Sequence, residues 1–506
     1  AHEGTLIRDP GVLWHGVVGE QILSRGSYLR PETQVDSFSF TFAGQPWIAQ
    51  QWLAECIMAL LYRVGGLDSV ALAAATILAA LHAWVAHRLI RAGFHWLLGA
   101  VLALLLFFAS AYHFHPRPHL ATIVLLGWTL GRLCDVESGR RALRSLVWLV
   151  PVFIVWTNLH GGVLGGMATI ALVTIGWVVA RGAGLPSPLR GFRDTAFVVC
   201  LVLVCGLTAL VNPYGVRLIE VWRSLSNSPT LREFILEHQP LNPRDIGGFC
   251  VLLLGLIYLL ALAGCPPRRL RMTWLVPIVW LCLACTSIRH GPLFSITAVV
   301  ALADVLPQTR WATWLAANGG DLYTPNQLPI ANCKLQFAIC NLLLPTGLVL
   351  TALLLQALSI PAPLIGHGST RLDPNYWPVD LLPKLSEQPD GTPIFNDMLY
   401  GGYVVAYAPN LRVFIDDRCE LYGDAFIREY FEGERDDPAR LEHWADRFGF
   451  QLALVRTDSE RRPSPFDRYL QTSGWRVLSQ TAAATLYQRA PSTGKGERAP
   501  EQKREQ

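Results

Sequence analysis

Residues 9–55, near the start of the chain, are polar and rich in tryptophan and carboxylates, whereas most of the sequence that follows is apolar. The ionisable residues there that could take part in chemistry are Asp9, His15, Glu20, Asp36 and Glu55. A carboxylate such as Asp9 can act as a general base that takes a proton from an acceptor hydroxyl. An Asp-Pro pair often begins a helix, so Asp9 could also be an N-cap. Asp36 and Glu55 are better explained as structural polar contacts than as reactive groups.

A second group of polar residues lies in four connections between apolar runs. They are His115, Arg117 and His119; Asn158 and His160; Asn212 and Tyr214; and Arg289 and His290. A guanidinium presents a fork of donors that matches phosphate oxygens, so Arg117 and Arg289 could hold a lipid-linked phosphate. They could equally be anchors at the membrane interface. Cations on a phosphate leaving group and a carboxylate on an acceptor hydroxyl are the parts needed to move a group off that phosphate.

Histidines alternate with other residues over 113–119, which suggests metal ligands on one face of an extended segment. The intervening prolines and the cation Arg117 argue against a zinc site. A divalent cation is compatible with the acidic residues, but the sequence identifies no metal requirement. No soluble cofactor is implied either, because we find no Gly-rich nucleotide loop on a strand–helix turn.

Composition places the chain in a membrane. Of its 506 residues 52% are hydrophobic and 16% are charged, against about 25% charged in soluble domains. Apolar runs long enough to cross a bilayer predict about ten membrane-spanning helices. Their approximate bounds are 68–90, 96–113, 119–135, 145–158, 162–180, 195–211, 247–264, 272–286, 291–306 and 336–358. Residues 46–63 before them predict an amphipathic interfacial helix. A net charge of +4 is too small to indicate a nucleic-acid partner.

Basic residues occur in every second connection between these spans. They are Arg88 and Arg91; Arg140, Arg141 and Arg144; Arg181, Arg190 and Arg193; Arg268, Arg269 and Arg271; and Arg310 and Lys334. Because Lys and Arg accumulate on the cytoplasmic side, the opening stretch, the four polar connections and the carboxyl end are predicted to lie outside. The chain is then a multi-pass protein of a bacterial inner membrane. An additional helix before Ala1 is expected, because such a chain normally begins in the cytoplasm.

The domain organisation predicted from these patterns is a first external loop (1–67), a helix bundle (68–360), an external α/β domain (364–490) and a disordered tail (491–506). In 364–490 charge rises and apolar runs shorten. Strands are predicted at 392–397, 411–417, 451–457 and 484–489, and helices at 424–448 and 465–474.

Several motifs resemble those of bacterial membrane proteins with a GT-C-type glycosyltransferase fold. The first external loop of that family is similar to RDPGVLWHGVVGEQIL and DSFSFTFAGQPWIAQQWLAE. Its later external motifs are similar to RPH (117–119), NLHGG (158–162), NPYG (212–215) and SIRH (287–290). NDMLYGGYVVAY and LRVFIDDRCELYGD resemble the carboxyl-terminal external domain of one branch. The resemblance covers nearly the whole chain.

The resemblance implies an inverting transferase that uses a polyprenyl-phosphate-linked sugar and a lipid, glycan or protein acceptor. Asp9 stands where the family has its proposed base. Arg117, His119 and Arg289 would bind the donor phosphate, His160 and His290 would donate hydrogen bonds to it, and His15, Glu20, Asp36 and Glu55 would support the site. The chain departs from the family pattern at Gly11, where many relatives have a second acidic residue, and at His119, where many have Gln.

Two other functions are compatible with the sequence. A lipid or glycan transporter should carry ionisable residues in mid-membrane and repeated halves, and we find neither pattern. In a non-catalytic assembly protein, the external domain would bind a partner and the bundle would only anchor it. Turnover of the donor by the purified protein separates this assembly protein from the enzyme.

Overall fold

A computed structural model of the chain describes residues 7–324, four isolated positions between 347 and 354, and residues 370–460 and 462–490. The predicted span at 336–358, apart from those four positions, and the tail at 491–506 lie outside the described residues. The chain divides into two compact units. The first comprises Ala1–Ser37, Gly44–Arg371 and Arg418–Arg428, and the second comprises Phe38–Ala43, Leu372–Asp417 and Glu429–Gln506.

The described part of the first unit is helical. Its α-helices are α1 (Pro10–Arg25), α2 (Trp52–Arg91), α3 (Trp96–Ser110), α4 (His119–Glu137), α5 (Leu149–Leu159), α6 (Val163–Gly182), α7 (Phe192–Leu207), α8 (Val216–Asn227), α9 (Pro229–Phe234), α10 (Ile246–Ala263), α11 (Val276–Thr286), α12 (Gly291–Val305) and α13 (Arg310–Asn318). Short 3₁₀ turns, Ala111–His113, Leu236–His238 and Ile288–His290, lie in the polar connections.

The predicted interfacial helix and the predicted first span form one helix, α2. It begins at Trp52 rather than near residue 46 and bends at Gly65 and Gly66, whose backbone angles are not helical. Gly66 has a φ of 62°, a conformation that glycine adopts without the steric cost of a Cβ. The bend lets the first half of α2, in which Glu55 and Arg63 are the charged residues, pack along α1 while the second half continues as an apolar span.

Six helical segments in the described chain are long and apolar enough to cross a membrane. They are Trp52–Arg91, His119–Glu137, Val163–Gly182, Phe192–Leu210, Ile246–Ala263 and Ile288–Gln308. Trp96–Ser110, Leu143–Leu159 and Met272–Thr286 are apolar but shorter. Nine of the ten predicted spans therefore coincide with apolar helices, and the chain is a multi-pass helical membrane protein with a small sheet domain. The exact number of spans stays a prediction.

The core of the first unit is built around α12, which is buried along its whole length. It packs against α3, α4, α10 and α11. Close approach to α4 depends on Gly127, where an added Cβ would lie 2.6 Å from Ile296. Small residues at helix contacts are typical of membrane bundles, in which packing rather than the hydrophobic effect holds helices together.

The second unit contains a five-stranded sheet in the order β2-β1-β3-β5-β4. Its elements are β1 (Thr392–Asn396), β2 (Leu411–Val413), β3 (Leu452–Arg456), β4 (Trp475–Gln480) and β5 (Ala484–Arg489), with α14 (Leu382–Ser386), α15 (Met398–Tyr407), α17 (Arg440–Phe448) and α18 (Pro465–Thr472). Helix α16 (Cys419–Asp436) begins in the first unit and ends in the second. Strands β2, β1 and β3 are parallel, and β5 is antiparallel to both β3 and β4.

Residues 38–43 of the opening stretch belong to this second unit. Val413 at the edge of the sheet exchanges two backbone hydrogen bonds of 3.1 Å with Phe38 and Phe40. Phe40 also packs against Phe414 and Phe450. The small domain is therefore completed by a segment that comes some 370 positions earlier in the chain.

Candidate functional site

Among the described residues, the carboxylate of Asp9 contacts the backbone of Gly11 and the side chain of Arg117. Its Oδ1 accepts a 2.8 Å hydrogen bond from the backbone N–H of Gly11, with Pro10 in the first turn of the helix. The same oxygen forms an ion pair with Arg117. Asp9 is 7% exposed. The residue is thus the N-cap that its sequence allowed and also part of a charged pair.

Gly11 provides the space that Arg117 occupies. A Cβ added at Gly11 would lie 2.6 Å from Nε and 2.8 Å from Cζ of Arg117, well inside van der Waals contact. A side chain at position 11 and this position of the guanidinium therefore exclude each other. Because position 11 is Gly, the Arg117 guanidinium can occupy the space beside Asp9 that a side chain at position 11 would otherwise take.

Glu237 is a second carboxylate near Arg117 that sequence reasoning missed. It lies in the 3₁₀ turn Leu236–His238, and its Oε1 is 3.7 Å from Nη1 of Arg117. Burial would raise the pKa of Glu237, but Arg117, His113 and Arg289 hold it at about 2. Nothing in its spacing distinguishes Glu237 from the other carboxylates of the connection 212–246.

Arg289, in the turn Ile288–His290, contacts the residue after Glu237. Its Nη1 is 2.7 Å from Nε2 of His238. Burial and the positive charge of Arg289 lower the pKa of His238 to about 4. His238 is thus neutral at pH 7, and its Nε2 accepts from the guanidinium.

His160 lies between α5 and α6 and is held in one tautomer. Its Nδ1 accepts a 3.0 Å hydrogen bond from the backbone N–H of Gly162 and is 2.9 Å from the hydroxyl of Thr122. Burial, then Arg289 and Arg117, lower the pKa of His160 to about 3. A neutral ring with an accepting Nδ1 carries its proton on Nε2. That N–H is available to donate to a ligand.

His119 and His113 lie beside His160. Nε2 of His119 donates to the backbone carbonyl of His113, and the His119 and His160 rings are 6.5 Å apart. Burial lowers the pKa of His113 to about 4. Among the described residues, no group of three or more His, Cys, Asp or Glu side chains is arranged to hold a metal ion.

His15 and Glu55 form a buried pair next to this group. His15 Nδ1 is 3.0 Å from Glu55 Oε1, and both residues are at most 5% exposed. Burial, followed by the charge of Arg117, lowers the pKa of His15 well below its usual value. This pair links α1 to α2, and its supporting role stays a prediction.

The other predicted supporting residues have separate ion pairs. Glu20 pairs with Arg63 at 2.7 Å, and both are about half exposed. Asp36 pairs with buried Arg418 at 2.7 Å, and the Arg418 guanidinium lies over the ring of Trp47. Neither carboxylate contacts Asp9 or Arg117 among the contacts described for the chain.

His290 and the two asparagines also have local partners. His290 Nδ1 lies 3.3 Å from the carbonyl of Leu283. Asn158 accepts from Trp52 Nε1 at 2.7 Å, and Asn212 accepts from the N–H of Tyr214 at 2.7 Å. These side chains hold their connections in shape.

The charges of the site nearly balance. Arg117 and Arg289 are positive, Asp9 and Glu237 are negative, and the surrounding histidines outside the spans are neutral at pH 7. An entering phosphate would compete with Asp9 and Glu237 for the guanidinium of Arg117. The arrangement can therefore exchange an internal ion pair for a bound anion.

No family model and no curated protein matches this chain. Its structure is similar to that of ArnT from Cupriavidus metallidurans bound to undecaprenyl phosphate, with 14% identity, 96% of this chain and 95% of that chain covered, and a TM-score of 0.49. It is also similar to the apo oligosaccharyltransferase of Archaeoglobus fulgidus, with 11% identity, 89% of this chain covered and a TM-score of 0.49. The match spans 66% of that longer protein.

These solved structures are of the class that the sequence motifs resemble, GT-C-type membrane glycosyltransferase-like proteins. At 11–14% identity and TM-scores below 0.5, the likeness says nothing about reaction, substrate or site residues. Those depend on the geometry and charges of this chain.

Proposed function

We propose that this protein transfers a sugar from a polyprenyl-phosphate donor to an acceptor hydroxyl at the external face of a bacterial inner membrane. The observation that carries the proposal is the pair of buried Asp9 and partly buried Arg117 at the start of α1, flanked by Glu237 and Arg289. It combines a carboxylate that can accept a proton with cations that match a phosphate leaving group.

In the proposed reaction the acceptor oxygen attacks the anomeric carbon of the donor in a single displacement. The acceptor proton passes to the Asp9 carboxylate. The bond between the anomeric carbon and the phosphate oxygen breaks, and polyprenyl phosphate leaves with the electron pair. Arg117 and Arg289 stabilise the charge that develops on that phosphate. Configuration at the anomeric carbon inverts because the acceptor oxygen attacks the face opposite the leaving phosphate.

Donor binding would also activate the base. Asp9 Oδ1 is engaged by both Arg117 and the Gly11 N–H, and the ion pair has to open before that oxygen can contact an acceptor hydroxyl. A donor phosphate draws the Arg117 guanidinium toward itself and releases Asp9 from the ion pair. The base is thus available only when the donor is bound, which limits hydrolysis of the donor by water.

Neutral His160 can donate a hydrogen bond to the phosphate of the sugar donor or to the hydroxyl of the acceptor substrate. Its Nε2–H is fixed by the hydrogen bond that Nδ1 accepts from Gly162. His119, next to it, has its Nε2 committed to the carbonyl of His113. We therefore propose that His160 contacts the sugar donor and that His119 is a positioning residue.

The test is turnover of a polyprenyl-phosphate-linked sugar by purified protein carrying Asp9→Asn or Glu237→Gln. Asn is as good an N-cap as Asp, so Asp9→Asn keeps the start of α1 and removes the base. We expect Asp9→Asn to lower kcat by about 100-fold or more. Glu237→Gln should retain kcat, because Glu237, with a pKa of about 2, is a poor base.

Full activity of Asp9→Asn would refute the assignment of the base, and loss of kcat only in Glu237→Gln would transfer the role to Glu237. A non-catalytic assembly protein remains the second candidate, because Asp9 is engaged by its cap and by Arg117. It predicts no donor turnover by the unchanged protein. A transporter predicts that the donor crosses vesicle membranes without chemical change.

A further inference from the structure

A cavity lined by arginines lies at the end of the bundle away from Asp9 and Arg117. It has a volume of about 360 Å³ and is lined by Glu137, Pro186, Arg268, Arg269, Leu270 and Arg271 among others. Glu137 is the last residue of α4, whereas His119 of the proposed active site is the first. A helix of that length spans about 28 Å, so the cavity and the active site are separate.

The charge of this cavity is strongly positive. Its one lining carboxylate, Glu137, accepts hydrogen bonds from the backbone N–H groups of Met272 and Thr273 and from the Thr273 hydroxyl, at 2.8, 2.9 and 2.6 Å. Within the described chain none of the three arginines forms an ion pair. Arg269 donates to neutral Gln308 at 3.3 Å, and Arg271 lies over the ring of Trp274.

The position of the cavity indicates the kind of anion. It is bounded by the connections after α6 and α10 and by the residue Gln308 just after α12. Ends of membrane helices lie at the level of lipid headgroups. Leu270 and Pro186 add apolar surface beside the arginines. Basic pockets between membrane helices on the cytoplasmic side are suited to anionic headgroups.

We propose that this cavity binds the phosphate of an anionic phospholipid headgroup, with Arg268, Arg269 and Arg271 supplying the donors. Guanidinium groups bind phosphate oxygens through paired hydrogen bonds. A volume of about 360 Å³ lies in the range of small-ligand pockets, about 300–1,000 Å³. The proposal is independent of the transferase reaction.

The experiment titrates detergent-purified full-length protein with cardiolipin, phosphatidylglycerol or phosphatidylcholine and counts bound lipids by native mass spectrometry. The pocket variant is Arg268→Gln/Arg269→Gln, because both side chains are exposed and their loss leaves the packing of Arg271 on Trp274 intact. We expect cardiolipin binding to weaken by about tenfold or more. Phosphatidylcholine binding should be weak to both proteins.

The matched control is Arg190→Gln/Arg193→Gln, which removes the same charge from two exposed arginines near the start of α7 that do not line the cavity. It should change cardiolipin affinity by less than about twofold. Equal weakening in both variants would show a diffuse attraction to the positive surface and would overturn the proposal. No weakening in either variant would show that the lipid binds elsewhere and would overturn it as well. Arg268→Lys/Arg269→Lys should keep most of the affinity, which guards against a misfolded Gln variant. Displacement of the lipid by millimolar inorganic phosphate would overturn the assignment to a lipid headgroup, because the cavity would then be a site for a soluble anion.

Discussion

Arg117 can lie next to Asp9 because position 11 is Gly. The guanidinium fills the space beside Gly11, and a Cβ there would collide with it. The positive charge that a metal ion would bring to a pair of carboxylates is thus supplied by the Arg117 side chain. We therefore expect transfer to continue in the presence of a chelator.

Gly11→Ala adds one methyl group and tests whether transfer depends on the position of Arg117. The new Cβ displaces the Arg117 guanidinium from the position at which it would bind the donor phosphate, so donor transfer should fall by about tenfold or more. Stability should not fall greatly, because Ala favours a helix over Gly by about 1 kcal/mol. The comparison is Gly206→Ala in α7, where an added Cβ meets nothing within 4 Å; it should leave kcat/KM unchanged. Equal activity of both variants in a donor-turnover assay would show that binding of the donor phosphate does not depend on this position of Arg117.

Sequence reasoning selected Asp9 and Arg117 because their residue types match base and phosphate chemistry, and the structure places them in contact. It missed Glu237, since a carboxylate in a long connection has no periodicity that reveals its neighbours. It also grouped Glu20 and Asp36 with Asp9, although their partners Arg63 and Arg418 lie far away in sequence. Partners separated by tens to hundreds of residues are brought together by tertiary packing, which a single sequence does not reveal.

At the scale of the helices, a charged cluster joins the ends of α2, α4 and α12. Arg88 is 3.1 Å from Asp135, and Arg140 lies 2.7 Å from Asp135 and 2.6 Å from Asp304. Asp304 is 6% exposed. The cluster ties the central helix α12 to its neighbours at the end opposite the proposed active site.

Asp304→Asn should destabilise the bundle by about 1–3 kcal/mol, because it removes a buried charge and leaves Arg140 with one carboxylate partner. Thermal unfolding in detergent measures the loss, and a double-mutant cycle with Arg140→Gln isolates the pair. The control is Asp194→Asn, whose pair with Arg144 is longer, at 3.6 Å, and more exposed; it should cost less than about 1 kcal/mol. A cycle with no coupling between Asp304 and Arg140 would contradict this account.

In the second unit, Glu434 of α16 should make stability depend on pH. Burial and the nearby charge of Asp397 raise its pKa from 4.5 to about 7, although Arg456 pairs with it. Between these values the unfolded chain has released the proton and the folded unit still holds it. The free energy of unfolding should thus fall as pH rises from about 4.5 to 7, by at most about 1.4 kcal/mol per pH unit. Glu434→Gln should remove that slope, measured by hydrogen exchange of β1 and β3 corrected for intrinsic rates; an unchanged slope would exclude Glu434 as its origin.

The elements of this unit were predicted where hydrophobic periodicity is strong. Strands β1, β3 and β5 lie where the sequence predicts them, and β2 is shorter than the predicted 411–417. Strand β4 was missed because it is an edge strand whose side chains after Trp475 are largely exposed. The predicted helix 424–448 is two helices, α16 and α17, divided near Pro438, which cannot continue a helix from the preceding turn.

For the whole molecule, the first external loop predicted from the sequence is shared between the two compact units. Its segment Phe38–Ala43 completes the sheet domain, while the flanking residues belong to the helical unit. Composition identifies a membrane bundle and a separate α/β domain, since apolar length and charge are local properties. It does not reveal which short segment pairs with a distant strand edge, because backbone hydrogen bonds such as Phe40 N–H to Val413 place no requirement on side-chain type.

The orientation predicted for the whole chain from its arginines can be tested directly. Every second connection is basic, so reporters fused after Gly139, Gly184 or Gly264 should lie in the cytoplasm and those fused after Asn227 outside. Green fluorescent protein should fluoresce in the first three fusions, and alkaline phosphatase should be active only in the last. The opposite pattern would place Asp9, Arg117 and Glu237 on the cytoplasmic side. It would thus refute the external site of transfer while leaving the proposed chemistry to be tested by Asp9→Asn.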